Sequence, residues 1–384
     1  MKKTIVSEYV SWGHPDKIAD QISDAILDAY LSADTNVRAG IETMVKDNVV
    51  VLGGEINSNA YVDYNYVVRK VFSEIKFPES HHLNPDNIKI INLIGKQSTE
   101  IHSGVDKEDG EIGAGDQGFV VGYASNETQS YLPLGYFVAK KLCQFVAGKM
   151  GNTIGPDVKT QVIVEYDCGI SKIVSILVSA MHQCDIDLLR TFIVRCIVDN
   201  EVGFEKQIID KIRNDNTEIT VNPCGTWNIG GPISDCGVTG RKIVVDQYGG
   251  YCSVGGGAFS GKDMTKVDRS ASYMARYIAK NIVASGLCNT AKVELSYMIG
   301  IAKPSSINIE MDENQHLAKR IIEYIDNNID CTPSGIMKRF KAEVPRNQYL
   351  AKYGHFGDAS YDSFHYPWEV IDFANDLFNY ANAE

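Results

Sequence analysis

The sequence has no run of about 18 apolar residues, the length a helix needs to cross a bilayer, so no membrane span is expected. The apolar stretch at its start ends at Ser7-Glu8, too short for the core of a signal peptide. Paired cysteines are missing as well. Nine cysteines stand singly, at 143, 168, 184, 196, 224, 236, 252, 288 and 331, with no CxxC among them. An odd number so spaced fits free thiols in a reducing compartment better than disulfides or a zinc site, and the expected location is cytoplasmic. Positive charge is scarce: 37 Lys and Arg face 49 Asp and Glu, a formal net charge of −12. Such a surface repels phosphate backbones, so nucleic acid is not an expected partner.

The 384 residues suffice for two or three domains at roughly 100–200 residues each. Helical and strand patterns alternate along them. Ile18, Ile22, Ile26 and Tyr30 lie four apart and predict an amphipathic helix over Ile18–Leu31. Val37–Val45 alternates as a half-buried strand with Glu42 on its other face, and Val49–Ile56 and Ile88–Ile94 read as further strands. Helices are expected over Tyr61–Ile75, Tyr136–Met150, Leu188–Val202 and Ser270–Ser285. Strands are expected over Lys159–Tyr166, Lys172–Met181 and Arg241–Tyr248, with a hairpin at Val293–Ile301 and Ser306–Met311. Three strand-then-helix blocks imply a mixed α+β protein. Between them runs the polar, glycine-rich stretch 97–118, and a loop that long is usually functional or mobile.

Three clusters carry chemistry. Gly13-His14-Pro15-Asp16-Lys17 lies just before a helix, where backbone N–H groups favour anions; it suits phosphate and a divalent cation, or equally a proline-bearing helix cap. Gly113-Ala114-Gly115-Asp116-Gln117-Gly118 either turns amides onto a ligand or makes a tight turn. The densest cluster joins Asp235, Arg241 and Lys242 to Gly255-Gly256-Gly257-Ala258, Lys262, Lys266 and Asp268. Four cations amid so much glycine, inside an acidic protein, read as a polyphosphate cradle with Asp235 and Asp268 available for metal. Gly256–Lys262 fits GxxxxGK, but Asp263 follows where a P-loop places Ser or Thr to hold magnesium.

Together GHPDK, GGE, GKQS, GAGDQG, GGGAFSGKD, KVDRS and the late YGHFG resemble, in order and spacing, the S-adenosylmethionine synthetases, over essentially the whole chain. The resemblance implies three similar α+β modules around a pseudo-threefold axis, here divided at 1–100, 101–231 and 232–384. It implies a homodimer with active sites between the chains, often paired into a homotetramer. The implied reaction joins methionine to C5′ of ATP and then hydrolyses the triphosphate. Asp16 and Asp268 would hold two magnesium ions, and Glu42 would ligate potassium. His14, Lys159, Arg241, Lys242, Lys262 and Lys266 would surround the triphosphate and serve catalysis, with Arg241 steering the hydrolysis. Glu55, Gln97, Asp235 and Lys266 would hold methionine. Asp116, Asp157, Asp235 and Ala258 would contact the nucleotide, and 97–113 would form a lid.

The chain departs from the family pattern in places. Thr226-Trp227-Asn228 stands where an Arg-Phe pair is usual, so Trp227 is expected to stack on adenine. Ser98-Thr99-Glu100 replaces a usual Ser-Pro-Asp, Gly155 replaces a basic residue, and Trp12 is unusual. Methionine sulfur is already an unprotonated nucleophile, so the reaction needs no general base. It needs alignment and stabilisation of a highly charged leaving group. A P-loop phosphotransferase releasing ADP, and a nucleotide sensor without turnover, are the alternatives.

Overall fold

A computed structural model gives the fold of residues 2–78, 81, 83–96, 112–149, 153–340, 347–357 and 366–383. Strand β1 (Lys3–Val10) runs into helix α1 (Pro15–Leu31) and the hairpin β2 (Arg38–Lys46) and β3 (Val49–Asn57). Helix α2 (Tyr64–Ile75) and the short strands β4 (Lys89–Asn92) and β5 (Gly95–Lys96) follow. The middle of the chain holds β6 (Gly118–Ser125), α3 (Leu134–Gly148), and the long hairpin β7 (Ile154–Asp167) and β8 (Ile170–His182). After it come α4 (Ile186–Val198), α5 (Lys206–Asn214) and β9 (Glu218–Val221). The last part carries β10 (Gly237–Val238), α6 (Val267–Ala284), the hairpin β11 (Thr290–Tyr297) and β12 (Ser306–Met311), and helices α7 (Ala318–Asn328), α8 (Pro333–Phe340), α9 (Asn347–Tyr353) and α10 (Ala374–Asn382).

Among the described residues the strands form three sheets, ordered β1-β7-β8-β9, β10-β2-β3-β4 with β5 also on β3, and β12-β11-β6. Each sheet takes one strand from a distant part of the chain, and the exchange is cyclic. The beginning lends β1 to the middle, the middle lends β6 to the end, and the end lends β10 to the beginning. One helix then covers each sheet: α1 packs on β2 and β10, α3 on β7 and β1, and α6 on β6 and β11. This threefold pattern is the three-module α+β architecture that the sequence implies.

Most expected elements appear, with ends shifted by a few residues. Arg241–Tyr248 is the exception: it is not a strand but contains a single helical turn, Ile243–Asp246, and the strand nearby is the two-residue β10. Val245 and Tyr248 are buried three residues apart, a helical spacing, and Asp246 turns inward to pair with Lys17 at 2.7 Å. β1, β6, β9 and α5 carry no expectation from the sequence. Of the expected lid, 97–111 falls outside the described residues; Ala114, just beyond it, bonds its N–H to the Ile301 carbonyl at 3.1 Å. Among the described residues no helix is long and apolar enough to cross a membrane.

Helix α1 departs from the amphipathic expectation in an informative way. His14 caps it, Pro15 opens it, and Ile18, Ile22 and Ile26 are fully buried as their spacing predicts. Its polar face is buried too: Asp16, Asp20 and Asp24 are at most 2% exposed. A buried carboxylate costs several kcal/mol unless paired and hydrogen-bonded. Each of these is both. Asp16 accepts the Val238 N–H at 3.0 Å and faces Lys242. Asp20 accepts Gly240 N–H at 2.9 Å and faces Lys17. Asp24 accepts Gly261 N–H at 2.8 Å and holds Arg269 through both oxygens, at 2.7 and 3.1 Å. One turn further, Asp28 accepts the Asn347 and Gln348 N–H groups, each at 2.9 Å. The four aspartates tie the glycine-rich loops and α9 to one helix.

Removing one partner of a fully buried pair leaves the other charge uncompensated. Asp24→Ala should therefore cost about 3–5 kcal/mol, read as a lower midpoint in chemical denaturation. An unchanged midpoint would show that Arg269 finds another partner.

Candidate active site

One group of the expected residues gathers at the N-terminus of α1. The Nδ1 of His14 accepts the Asp16 N–H at 3.1 Å, which leaves the ring proton on Nε2, free to donate. Burial, with Lys242 and Lys159 nearby, pushes the His14 pKa down to about 3, so the ring is neutral at physiological pH. Asp16 goes the other way. Burial raises its carboxyl, but the Lys242 hydrogen bond and the Val238 N–H outweigh it and hold the group below its ordinary value. Lys242 Nζ lies 2.5 Å from one Asp16 oxygen, and Arg241 Nε lies 3.8 Å from the other. Lys159 reaches the group because β7 pairs with β1 in a register that sets Lys159 opposite Val10. The close fit at β10 depends on Gly237, where a Cβ would lie 2.0 Å from the Pro15 carbonyl oxygen.

Beside it sits Asp157, buried, with Oδ2 accepting the Gly231 N–H at 2.7 Å and Oδ1 without a partner. Burial pushes its carboxyl up from 3.8 to about 7, Lys159 lowers it and Asp235 raises it further. Trp227 is half-buried, and its indole N–H donates to the Ile229 carbonyl at 2.8 Å. Asp235 is exposed and accepts the Cys236 N–H.

A second group lines a cavity of about 870 Å³: Glu42, Glu55, Asp116, Ala258, Lys262 and Asp268. β2 and β3 present Glu42 and Glu55 on their outer face. Lys262 Nζ lies 2.5 Å from Asp268 in the first turn of α6. Gly257 lets the loop pass against Asp268: a Cβ there would fall 2.0 Å from its Cγ. Lys266 caps α6 and lies 3.6 Å from Asp263, which itself accepts the Ala39 N–H at 2.8 Å. Gln97 falls outside the described residues.

The expected residues thus form two groups joined by the 239–243 segment: its Arg241 and Lys242 face Asp16, while its Thr239, Gly240 and Ile243 line the cavity. Among the described residues no three His, Cys, Asp or Glu side chains converge tightly enough to hold a metal ion alone. Single carboxylates flanked by lysines fit magnesium nonetheless, because that ion keeps several waters and binds through one or two carboxylates plus substrate phosphates.

The sequence reading missed Asp20, Asp24, Asp28 and Arg269, which set the two groups in place. Their signal was an acid every fourth residue along a helix whose other faces are apolar. It missed Asp263 too, which stands where the near-miss P-loop lacks its hydroxyl.

Family models for the N-terminal, central and C-terminal domains of S-adenosylmethionine synthetase match residues 2–99, 111–227 and 229–370. The chain belongs to the S-adenosylmethionine synthetase family. It is similar to the S-adenosylmethionine synthase of Finegoldia magna, 43% identical over 395 aligned positions that cover 98% of each chain. The S-adenosylmethionine synthase of Borreliella afzelii is 41% identical, over 98% of this chain and 96% of that protein. Among solved structures, the one described as an unusual S-adenosylmethionine synthetase from Campylobacter jejuni is 34% identical. It superimposes with a TM-score of 0.87, covering 99% of this chain and all of that one.

Asp157 gives the synthetase a pH signature. A carboxyl whose folded pKa lies above its unfolded value favours folding while it is protonated. Stability of the unliganded protein should therefore carry a component that is full below about pH 4 and is lost as the pH rises to about 7. Asp157→Asn should flatten that decline in denaturation midpoints measured across the range. Parallel profiles for the two proteins would contradict the assignment.

Proposed function

We propose that the protein synthesises S-adenosylmethionine from ATP and methionine, and that it hydrolyses the triphosphate to phosphate and pyrophosphate before release. The observation that carries this reading is the chemistry of the two groups: five cations and isolated carboxylates gathered around glycine-rich loops, with no nucleophile and base paired for proton abstraction among the described residues of either group. A thioether needs neither, since its sulfur attacks as it stands. What it needs is a substrate pair held in line and a leaving group whose charge is met as it develops.

The family's roles map onto this geometry. The neutral His14, protonated on Nε2, donates to the phosphate chain near the C5′–O bond without adding charge to a crowded site. Lys159, Arg241, Lys242, Lys262 and Lys266 hold the triphosphate, and Arg241 can grip two phosphate oxygens with its planar fork. Glu55, Gln97, Asp235 and Lys266 hold methionine, while Asp116, Asp157, Trp227, Ala258 and again Asp235 take the nucleotide. Asp16 and Asp268 are the residues that would hold magnesium, and Glu42 potassium; the ions would neutralise charge on the phosphates. Before substrates arrive, Lys242 and Lys262 occupy the two magnesium carboxylates. Phosphate oxygens that draw Lys242 and Lys262 away would leave Asp16 and Asp268 open to hold magnesium.

Each chain carries both groups, joined by the 239–243 segment, which fits a homodimer whose sites form between chains, one group from each. Pairing of dimers into a homotetramer follows from the family alone. The unpaired cysteines favour a cytoplasmic location, and the boundaries at 1–100, 101–231 and 232–384 remain our division of the chain.

Incubation with ATP and methionine should yield one phosphate and one pyrophosphate per S-adenosylmethionine, resolved by chromatography under single-turnover conditions. Intact triphosphate in equal amount would refute the second step, and ADP would favour a phosphotransferase. Asp268→Asn should lower turnover by about 100-fold or more with the fold intact. Near-normal turnover at saturating magnesium would remove Asp268 from the metal site.

A further inference from the structure

The segment from Trp227 to Gly231 is held by two buried histidines that no functional role covers. His182, at the end of β8, is fully buried and grips Trp227 by its backbone on both sides. Its N–H donates to the Trp227 carbonyl at 2.9 Å, and its ring Nε2 accepts the Trp227 N–H at 3.2 Å. Its Nδ1 lies 2.9 Å from the Cys184 carbonyl oxygen, which can only accept, so the ring proton sits there and Nε2 is the acceptor.

Three residues on, the peptide unit joining Gly230 to Gly231 is clamped at both ends. His81, 2% exposed, donates from Nε2 to the Gly230 carbonyl at 2.5 Å. Asp157 accepts the N–H of the same unit at 2.7 Å. Phe77 stacks on the His81 ring with centroids 4.5 Å apart, and it lies against Gly231, where a Cβ would fall 2.5 Å from the Phe77 ring. Gly231 has φ +60°, so its orientation is one that glycine adopts readily and a side chain would strain. The clamped segment therefore has a fixed path. At one end it carries the Trp227 ring; at the other a single turn, Gly231–Ser234, leads directly to Asp235.

We propose that His81 and His182 are positioning residues for nucleotide recognition, fixing the backbone so that Trp227 and Asp235 face the bound ATP in one arrangement. Neither touches substrate. They act by removing conformations that the glycine pair would otherwise allow, so that ATP binding need not order the segment. The inference rests on the S-adenosylmethionine synthetase reading for the identity of the ligand.

The test is steady-state kinetics for ATP at saturating methionine and magnesium, on the full-length protein. In His81→Leu the bond to Gly230 is lost; in His182→Leu the ring's bond from the Trp227 N–H is lost while the backbone bond between the two residues remains. Either should raise KM for ATP about tenfold, the scale of one hydrogen bond. With chemistry untouched, kcat should stay within about threefold, since a loss of uniform binding appears in KM alone. His81→Gln and His182→Gln, whose amides can still donate to a carbonyl or accept an N–H, should recover most of the loss. If leucine prevents folding, His81→Asn and His182→Asn serve instead, being polar but too short to span either bond. Unchanged KM for ATP, or a fall in kcat at constant KM, would overturn the proposal. A wild-type protein that forms no S-adenosylmethionine would instead defeat the parent reading. Tryptophan fluorescence titration with ATP would then decide the positioning claim on the same variants, tenfold weaker binding supporting it and equal binding ending it.

Discussion

Four aspartates spaced one turn apart on a single helix organise everything around them. Asp16, Asp20, Asp24 and Asp28 are each drawn out of water by α1, and each would be costly there alone. Their remedy is the backbone of the surrounding loops. Val238, Gly240 and Gly261 donate their N–H groups, Lys17, Lys242 and Arg269 supply charge, and α9 offers its first two amides. Glycine-rich loops have little of their own to hold them in place, because they bury few side chains. Here the loops that carry Arg241, Lys242 and Lys262 are suspended from a rigid helix by charge-assisted bonds. The stability of the core and the placement of the cations proposed to bind phosphate thus share one set of contacts.

The cyclic exchange of strands extends this coupling to the whole molecule. β10 closes the sheet beneath α1 and carries the segment between the two groups of site residues. β1 pairs with β7 and so sets Lys159 beside His14. β6 lies in the sheet that α6 covers, and Asp268 stands in the first turn of α6. No module can therefore be displaced without moving a part of the site that another module completes.

Much of this was legible in the sequence. The α1 stripe, the strands β2, with Glu42 outward, and β3, and the glycine-and-cation cluster all follow from local periodicity and composition. The rest depends on partners far away in sequence. β1 and β6 find their pairing at β7 and β11, far away in sequence, so their own residues say little of it. Arg241–Tyr248 reads as a strand because Ile243, Val244 and Val245 are β-branched, yet the pairing of Asp246 with Lys17 folds it into a turn. Asp20 and Asp24 look like solvent-facing charges on an amphipathic helix, since nothing local reveals that glycine loops and Arg269 will cover them. His81 and His182 are invisible for the same reason: their partners are backbone atoms of a segment many residues distant.

In the proposed dimer the two groups of residues are halves that meet across two chains. Asp16 stands in one half and Asp268 in the other, so the most direct measurement is subunit complementation. Asp16→Asn and Asp268→Asn proteins, each inactive alone, are unfolded together, refolded at equal concentration and assayed. If the halves come from different chains, a mixed dimer places both lesions in one of its sites and leaves the other site intact. About a quarter of wild-type activity should then return, from random pairing into symmetric dimers. If both halves serve the same chain's site, every site keeps one lesion, and the mixture stays as inactive as its parts.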